Sequence, residues 1–160
     1  MKAPVMFFLL SLTCFSALSS AALSLPRQIN PPGEKMVLVD PREHAWGAYD
    51  AGGRLIRSGV ASAGADWCKD VGRPCHTIVG SHRVISLGSS RCTSPSFPLP
   101  TGGAPMPYCM YFNKYQALHG SYEVARANIS HGCIRMHVAD AKWLRFNFVT
   151  IGTLVVILPY

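Results

Sequence analysis

Short apolar runs, separated by glycine, proline and serine, recur along the chain from Lys35 onward. The first is Met36 to Val39, the second is Ala45 to Tyr49, and a Gly-Gly turn leads into a third over Arg54 to Val60. Short runs rich in β-branched and aromatic residues and bounded by turn formers are typical of strands. The pattern therefore predicts a three-stranded meander.

Later segments continue this pattern, with one exception. Further β-rich runs cover Thr77–Leu87, Met106–Phe112 and Thr153–Leu158. After Arg135 the apolar spacing becomes helical, and Gly152 lies past the end of that stretch. The residues on this spacing are Val138, Ala141, Leu144, Arg145 and Phe148. We predict a mainly β fold, a β-sandwich or mixed sheets, with one main helix packed against it.

Composition supports one folded domain. The chain has 160 residues, of which 49% are hydrophobic and 14% charged. That length and that apolar fraction are enough to bury one sizeable core, which excludes a disordered chain and a long multidomain enzyme. No internal repeat or coiled-coil pattern is visible in the sequence.

The first 22 residues have the features of a secretory signal peptide. Lys2 precedes a mostly apolar run from Val5 to Leu18, and small residues at Ser20–Ala22 suit cleavage. A transmembrane anchor is disfavoured because the run is shorter than a bilayer needs and contains several serines. Acylation at Cys14 is a weaker alternative, since a threonine precedes it. We expect a signal peptide over 1–22, an extended lead-in over 23–33 and one domain over 34–160.

Export would affect both the number of cysteines in the mature protein and their expected oxidation state. Cleavage removes Cys14 and leaves five of the six cysteines, so one thiol should be unpaired. Outside the cytosol cysteines form disulfides. Pairing Cys68 with Cys75, and Cys92 with Cys109, would close two loop-like segments, each bridge contributing roughly 2–4 kcal/mol. Connectivity cannot be proved from the sequence, and Cys133 is left over.

Candidate chemistry gathers around Cys133. His119-Gly120-Ser121 lies upstream, and Ser130-His131-Gly132 directly precedes the cysteine. A thiol attacks as thiolate, and a nearby histidine such as His119 can accept its proton. Gly132 allows close backbone approach, so N–H groups there suit an oxyanion. These are the parts of a cysteine acyl-transfer site.

The same residues resemble the signature of YkuD-type L,D-transpeptidases, cell-wall enzymes with a catalytic cysteine. The resemblance rests on Ser130 to Met136 with His119-Gly120 upstream, and it extends over roughly residues 34 to 159. The further matching segments are Met106-Pro107-Tyr108, Asp140 to Trp143, Gly152 to Ile157 and the opening meander. Two cysteine-bearing loops, 66–75 and 89–109, look like additions to the family pattern and are expected near the active-site rim.

The resemblance implies a role for each matching residue. Cys133 would attack a peptide carbonyl, His119 would take the thiol proton, and the backbone at Gly132 and Cys133 would hold the oxyanion. His131 and Ser130 would shape the pocket, and Arg135 would bind a stem-peptide carboxylate. Gly120 and Ser121 are further candidate substrate-binding residues. No cofactor is implied, and the partners would be peptidoglycan stem peptides, as donor and as amine acceptor.

Several alternatives remain at this point. The thioester could pass to water, giving a carboxypeptidase or an amidase, or the chain could be an inactive wall-binding module. Zinc binding by His119, His131, Cys133 and His137 is disfavoured because their spacing matches no familiar zinc pattern. The formal charge of +7, or +6 without Lys2, lacks an aromatic-interleaved basic cluster, so we expect no nucleic-acid partner. An exported, periplasmic or envelope protein without a membrane span after cleavage is expected, acting in cell-wall biogenesis and cell shape.

Overall fold

The structure, a computed structural model, describes residues 25–160. The expected signal peptide over 1–22 and the first residues of the lead-in lie outside the described residues. No helix between residues 25 and 160 is both long and apolar enough to cross a membrane. The remainder of the lead-in is packed rather than free, because Leu25 is buried and Tyr49 donates a hydrogen bond to the Pro26 carbonyl at 2.9 Å.

The described chain consists of strands with one helical segment. The helix α1 (Val138–Trp143) continues directly into a π-helical turn (Leu144–Phe148). The strands are β1 (Met36–Asp40), β2 (Ala45–Tyr49), β3 (Leu55–Ser62), β4 (Gly80–Arg83), β5 (Ser86–Leu87), β6 (Met110–Tyr111), β7 (Ala117–Ser121), β8 (Ile134–His137) and β9 (Leu154–Ile157).

These strands form one mixed sheet that curls on itself. Their spatial order is β4-β9-β1-β2-β3-β8-β7-β6-β5, with the pairs β1/β9 and β7/β8 parallel and the other neighbours antiparallel. The two edge strands, β4 and β5, are separated in sequence only by Val84 and Ile85. Such a short link brings the two ends of the sheet together, so the sheet must curl.

The main core lies against α1. Trp46, Leu118 and Met136 from the sheet pack with Ala141 and Leu144 of the helical segment, and all five are fully buried. A smaller apolar cluster includes Leu25, Met36, Leu38, Ala45 and Tyr49. Alternation along β1, with Val37 and Val39 in the main core and Met36 and Leu38 in the smaller cluster, shows that the sheet is buried on both faces here.

The mainly β class and the helix after Arg135 are confirmed, and so is the opening meander. Of the two arrangements expected, a β-sandwich or mixed sheets, the structure has the mixed sheet, with all nine strands in one curled sheet. The β-rich run Thr77–Leu87 contains two short strands, and only Met110–Tyr111 is strand within Met106–Phe112. Prolines at 98, 100, 105 and 107 cannot donate ladder hydrogen bonds, which favours loop around that short strand.

Candidate active site

A cleft of about 830 Å³ opens beside the ends of β7 and β8. Its floor includes Cys133, His119 and Arg135. Its walls include parts of two segments, loop A (residues 66–75) and loop B (residues 89–109). Both of the loops that the sequence placed at the rim therefore contribute to the cleft.

The parallel pairing of β7 and β8 brings the candidate residues together. His119 on β7 lies in register with Arg135 on β8. Cys133 is two residues before Arg135, and side chains two apart along an extended chain point to the same face. The sheet therefore directs His119, Cys133 and Arg135 toward one cleft, although His119 and Cys133 are fourteen positions apart in sequence.

His119 is held as a neutral imidazole with a defined tautomer. Its ring is buried, and Nδ1 lies 2.8 Å from the Gly120 carbonyl oxygen. A carbonyl only accepts, so Nδ1 carries the proton and Nε2 presents a lone pair. Burial lowers the pKa of His119 to about 4, and the nearby positive charge of Arg135 acts in the same direction. At neutral pH the ring is therefore uncharged and able to accept a proton.

Cys133 is a protonated thiol in the resting site. Its side chain is half-buried in the cleft floor, and Sγ lies 3.9 Å from the Tyr115 carbonyl oxygen. Burial raises the pKa of the Cys133 thiol, while a hydrogen bond from the Ala117 backbone and the charge of Arg135 partly offset that effect. The resting pair is thus thiol and neutral imidazole, which suits proton transfer during attack.

This protonation state gives a test with a small reagent. Alkylation of Cys133 by iodoacetamide should accelerate as pH rises past 7, with no plateau until above the ordinary thiol pKa of about 8.5. The rate is followed by mass spectrometry of the peptide that contains Cys133. A plateau already present at pH 6 to 7 would indicate a resting thiolate–imidazolium pair and contradict this assignment.

The turn before the nucleophile is closed by its own hydrogen bonds. Ser130 Oγ donates to the Cys133 carbonyl and accepts from the Gly132 N–H at 3.0 Å. Thr77 Oγ1 donates to the Gly132 carbonyl at 2.8 Å. Gly132 has φ +119°, a conformation that side-chain-bearing residues rarely adopt. In the free protein the Gly132 N–H is therefore bonded within the turn.

The other expected binding residues occupy different positions. Arg135 lines the cleft and forms an ion pair with Glu123, with Nη1 and Oε2 3.3 Å apart. Ser121 also lines the cleft, and its hydroxyl accepts a hydrogen bond from the Glu123 N–H at 3.1 Å. Gly120 is buried, and a Cβ there would lie 3.0 Å from Val138 Cα. The Gly120 carbonyl accepts the hydrogen bond from His119 Nδ1 that sets the orientation of the ring.

Disulfides join Cys68 to Cys75 and Cys92 to Cys109, the two pairs that the sequence favoured. Among the described cysteines, Cys133 is the one outside a disulfide. Sequence reasoning did not identify Asp70, Phe97 or Glu123 as part of the cleft region. Asp70 and Phe97 lie in the loops that depart from the family pattern, so no motif signals their contacts with His131.

Among residues 25–160, ligand atoms of Cys68, Asp70 and His131 lie within 4.8 Å of one another. Cys68 is in a disulfide, so its sulfur is not the thiolate that a zinc site requires. His131 and Asp70 form a hydrogen-bonded pair, with Nε2 2.9 and 2.8 Å from the two carboxylate oxygens.

The buried His119 makes folding stability depend on pH. In the unfolded chain its pKa is near 6.5, whereas in the folded protein it is about 4. Below 6.5 unfolding therefore takes up a proton, so stability falls as pH decreases toward 4. We expect this residue alone to reduce the free energy of unfolding by about 2 kcal/mol between pH 7 and pH 5.

Urea denaturation of wild type and His119→Gln at both pH values measures this effect. Other groups titrate in both proteins, so the difference between them isolates His119. The variant should lose less stability on acidification. Equal losses in the two proteins would show that the folded-state pKa of His119 is not depressed.

Comparison with known proteins adds an independent observation. A family model for the L,D-transpeptidase catalytic domain, YkuD, matches residues 34–157. A comparison with curated protein sequences found no match. A structure of an L,D-transpeptidase from Xylanimonas cellulosilytica is similar at 26% identity and a TM-score of 0.69, covering 81% of this chain and 63% of that one.

Two mycobacterial structures share the fold at lower identity. An L,D-transpeptidase from Mycobacterium smegmatis is 20% identical with a TM-score of 0.64, covering 79% of this chain and 59% of that one. L,D-transpeptidase 3 from Mycobacterium tuberculosis, in complex with a faropenem-derived adduct, is 23% identical with a TM-score of 0.61, covering 78% of this chain and 60% of that one. The present chain therefore spans about three fifths of each of these relatives.

Proposed function

The chain belongs to the YkuD family of L,D-transpeptidase catalytic domains, and we propose that it transfers peptidoglycan stem peptides through a thioester on Cys133. The observation that carries the proposal is the shared cleft of Cys133, His119 and Arg135. A thiol, a neutral imidazole with a free Nε2 lone pair and a guanidinium are the groups that acyl transfer from a carboxylate-bearing peptide requires.

In the first half-reaction Cys133 Sγ attacks the carbonyl carbon of the stem peptide. His119 Nε2 takes the thiol proton as the sulfur–carbon bond forms, and the N–H of Cys133 donates to the oxygen that becomes negative. Collapse of this intermediate breaks the carbon–nitrogen bond, and the amine of the terminal D-amino acid leaves with the proton from His119. The products are a thioester on Cys133 and the free D-amino acid.

In the second half-reaction an amine attacks the thioester. His119 Nε2 accepts a proton from the attacking nitrogen, a new amide bond forms, and the Cys133 sulfur leaves and regains the proton. The product is a peptide cross-link or an anchored amine, and the enzyme returns to its initial state. Water in place of the amine would give a trimmed stem and a free carboxylic acid.

Charge in the cleft supports a carboxylate-bearing substrate. Arg73, Lys114 and Arg135 line it together with one acidic residue, Glu123. In the free protein Glu123 holds Arg135, and the Glu123 side chain is 80% exposed. An ion pair so exposed to solvent contributes little to stability. A substrate carboxylate can therefore replace Glu123 as the partner of the Arg135 guanidinium with little loss of free energy.

The two disulfides support an oxidising compartment, because such bonds persist outside the cytosol. We therefore propose that the protein acts after export, in the cell envelope. The apolar segment at residues 5–18 supports the same conclusion from the sequence.

Incubation with a disaccharide tetrapeptide, followed by mass spectrometry of intact protein and of products, tests the function. A protein mass increase equal to the disaccharide tripeptide acyl group, with release of the terminal residue, is expected. Cross-linked dimers indicate transpeptidation, whereas trimmed stems alone indicate hydrolysis. An unchanged substrate and unchanged protein mass would contradict the proposed function and favour a binding module.

A further inference from the structure

His131 is contacted by both disulfide-closed loops. Its Nε2 lies 2.9 and 2.8 Å from the two carboxylate oxygens of Asp70 in loop A. Its ring stacks on Phe97 of loop B, with ring centroids 4.1 Å apart and an interplanar angle of 29°. Asp70 therefore fixes one edge of the imidazole and Phe97 one face, and both residues lie in the loops that differ from the family pattern.

The Asp70 contact selects a tautomer. The hydrogen bond with His131 lowers the pKa of the Asp70 carboxyl, so Asp70 is ionised at neutral pH. An ionised carboxylate only accepts hydrogen bonds, so His131 Nε2 must carry a proton. In the neutral ring Nδ1 then presents a lone pair, which can accept a hydrogen bond from a peptide N–H.

Loop A is itself attached to the nucleophile turn. Its disulfide joins Cys68 to Cys75, and the Cys75 N–H donates to the Ala65 carbonyl at 3.0 Å. The Cys75 carbonyl oxygen packs so closely against Gly64 that a Cβ on Gly64 would collide with it. The same oxygen lies 3.4 Å from the position that a Cβ on Gly132 would occupy. The position of Asp70 is therefore fixed relative to the turn that contains His131 and Gly132.

We propose that Asp70 is a positioning residue of this cleft, held by the Cys68–Cys75 disulfide, which fixes the orientation and the Nε2–H tautomer of His131 for binding the donor peptide. Asp70 acts through His131, which lines the cleft. The inference rests on the proposed function, because its kinetic consequence requires a donor that acylates Cys133. Its structural consequence, the tautomer of His131, does not require a substrate.

The loop offers a matched control. Asp66, also in loop A, forms the same type of contact with a histidine, with Oδ1 2.6 Å from His76 Nε2. His76 stacks on Tyr160 at 4.0 Å, and neither Asp66 nor His76 lines the cleft. Asp66→Ala therefore removes an Asp–His pair from the same loop without touching His131.

We expect Asp70→Ala to lower kcat/KM for donor acylation by about tenfold, the size of effect usual for a residue that orients a site residue. Most of the loss should appear in KM, while the iodoacetamide reactivity of Cys133 stays within about twofold. Asp70→Asn, whose amide oxygen still accepts from Nε2–H, should recover most of the loss. Asp66→Ala should match wild type.

A double variant tests the link to the disulfide. Cys68→Ser with Cys75→Ser should reduce acylation by about the same factor as Asp70→Ala, and adding Asp70→Ala to it should cause little further loss. If the fold-losses in acylation of the double cysteine variant and of Asp70→Ala multiply when the substitutions are combined, Asp70 and the disulfide act independently, which contradicts the proposal. A thermal unfolding curve of each variant establishes that it is folded at the assay temperature.

The nitrogen-15 shifts of the His131 ring provide a substrate-free readout. Wild type and Asp66→Ala should show the Nε2–H tautomer, and Asp70→Ala should show a mixture of tautomers. If wild type is acylated and Asp70→Ala matches Asp66→Ala in kinetics and shifts, the inference is wrong. If wild type is not acylated, the proposed function fails, while an unchanged tautomer in Asp70→Ala would still overturn the role of Asp70.

Discussion

Replacement of Cys133 by alanine is expected to eliminate acyl transfer, with a fall in rate of at least about 10⁴-fold. The thioester needs the Cys133 sulfur, and the other cysteines described between residues 25 and 160 are in disulfides. The side chain is half-buried and small, so its loss removes the nucleophile with little effect on packing. The measurement is the intact-protein mass after incubation with a tetrapeptide donor.

A carbapenem extends this test to a reagent with a strained carbonyl. We expect wild type to gain the mass of one carbapenem on the peptide that contains Cys133, and Cys133→Ala to gain none. Attack of the Cys133 sulfur on that carbonyl opens the strained ring and leaves the reagent bound as a thioester. A Cys133→Ala protein that still acquires the label or turns over donor would contradict the assignment of the nucleophile.

Cys133→Ser is the matched variant for this experiment. It keeps the size of the side chain and replaces the thiol by a hydroxyl, which is a much weaker nucleophile near neutral pH. We expect it to be as inactive as alanine while it retains the wild-type melting temperature. Loss of activity with retained stability separates the chemical role of the sulfur from a packing role.

Local pattern was sufficient to predict the elements that have their own periodicity. The meander over β1 to β3, β9 and the helix after Arg135 each carry a run of apolar residues whose spacing matches the element. β7 and β8 are different, because Ala117–Ser121 and Ile134–His137 mix glycine, histidine and arginine with a few apolar residues. Long-range pairing between them forms these strands, and local propensity alone does not indicate it.

The same distinction applies to the residues of the site, some of which the sequence predicts and some of which it does not. The motif residues Cys133 and His119 were accessible from the sequence because their chemistry and the family pattern point to them. The hydrogen bond between Gly132 N–H and Ser130 Oγ was not, because the direction of a backbone N–H depends on the turn geometry. The Asp70 carboxylate and the Phe97 ring reach His131 through folded loops, and only the structure brings these residues together.

The curled sheet explains why the cleft can be both open and well defined. Its floor is formed by neighbouring parallel strands of the sheet, which are rigid and fix His119 relative to Arg135. Its walls are formed by loops, which would be mobile without restraint. The Cys68–Cys75 and Cys92–Cys109 disulfides supply that restraint at the two loops. The chain thus combines a rigid base with walls whose composition differs from the family pattern.

Replacement of His119 by glutamine is expected to lower the acylation rate by about 10²–10⁴-fold, the usual contribution of a general base. Glutamine is similar in size and forms hydrogen bonds, but it does not accept the thiol proton. His82→Gln is the control, since His82 packs against Phe112 and does not line the cleft. That control should retain the wild-type rate.

The pH profile decides whether His119 acts as a base or only fills space. The base must be neutral, and its pKa of about 4 predicts that wild-type kcat/KM falls only as pH drops through about 4. In His119→Gln the residual rate should lose this acid limb and follow the thiolate fraction of Cys133, rising with pH. A variant that keeps the wild-type acid limb would assign that limb to another group. His119→Gln should also reduce the loss of folding stability on acidification. If the pH dependence of kcat/KM and that of folding stability change together in this variant, both originate from the buried His119 imidazole.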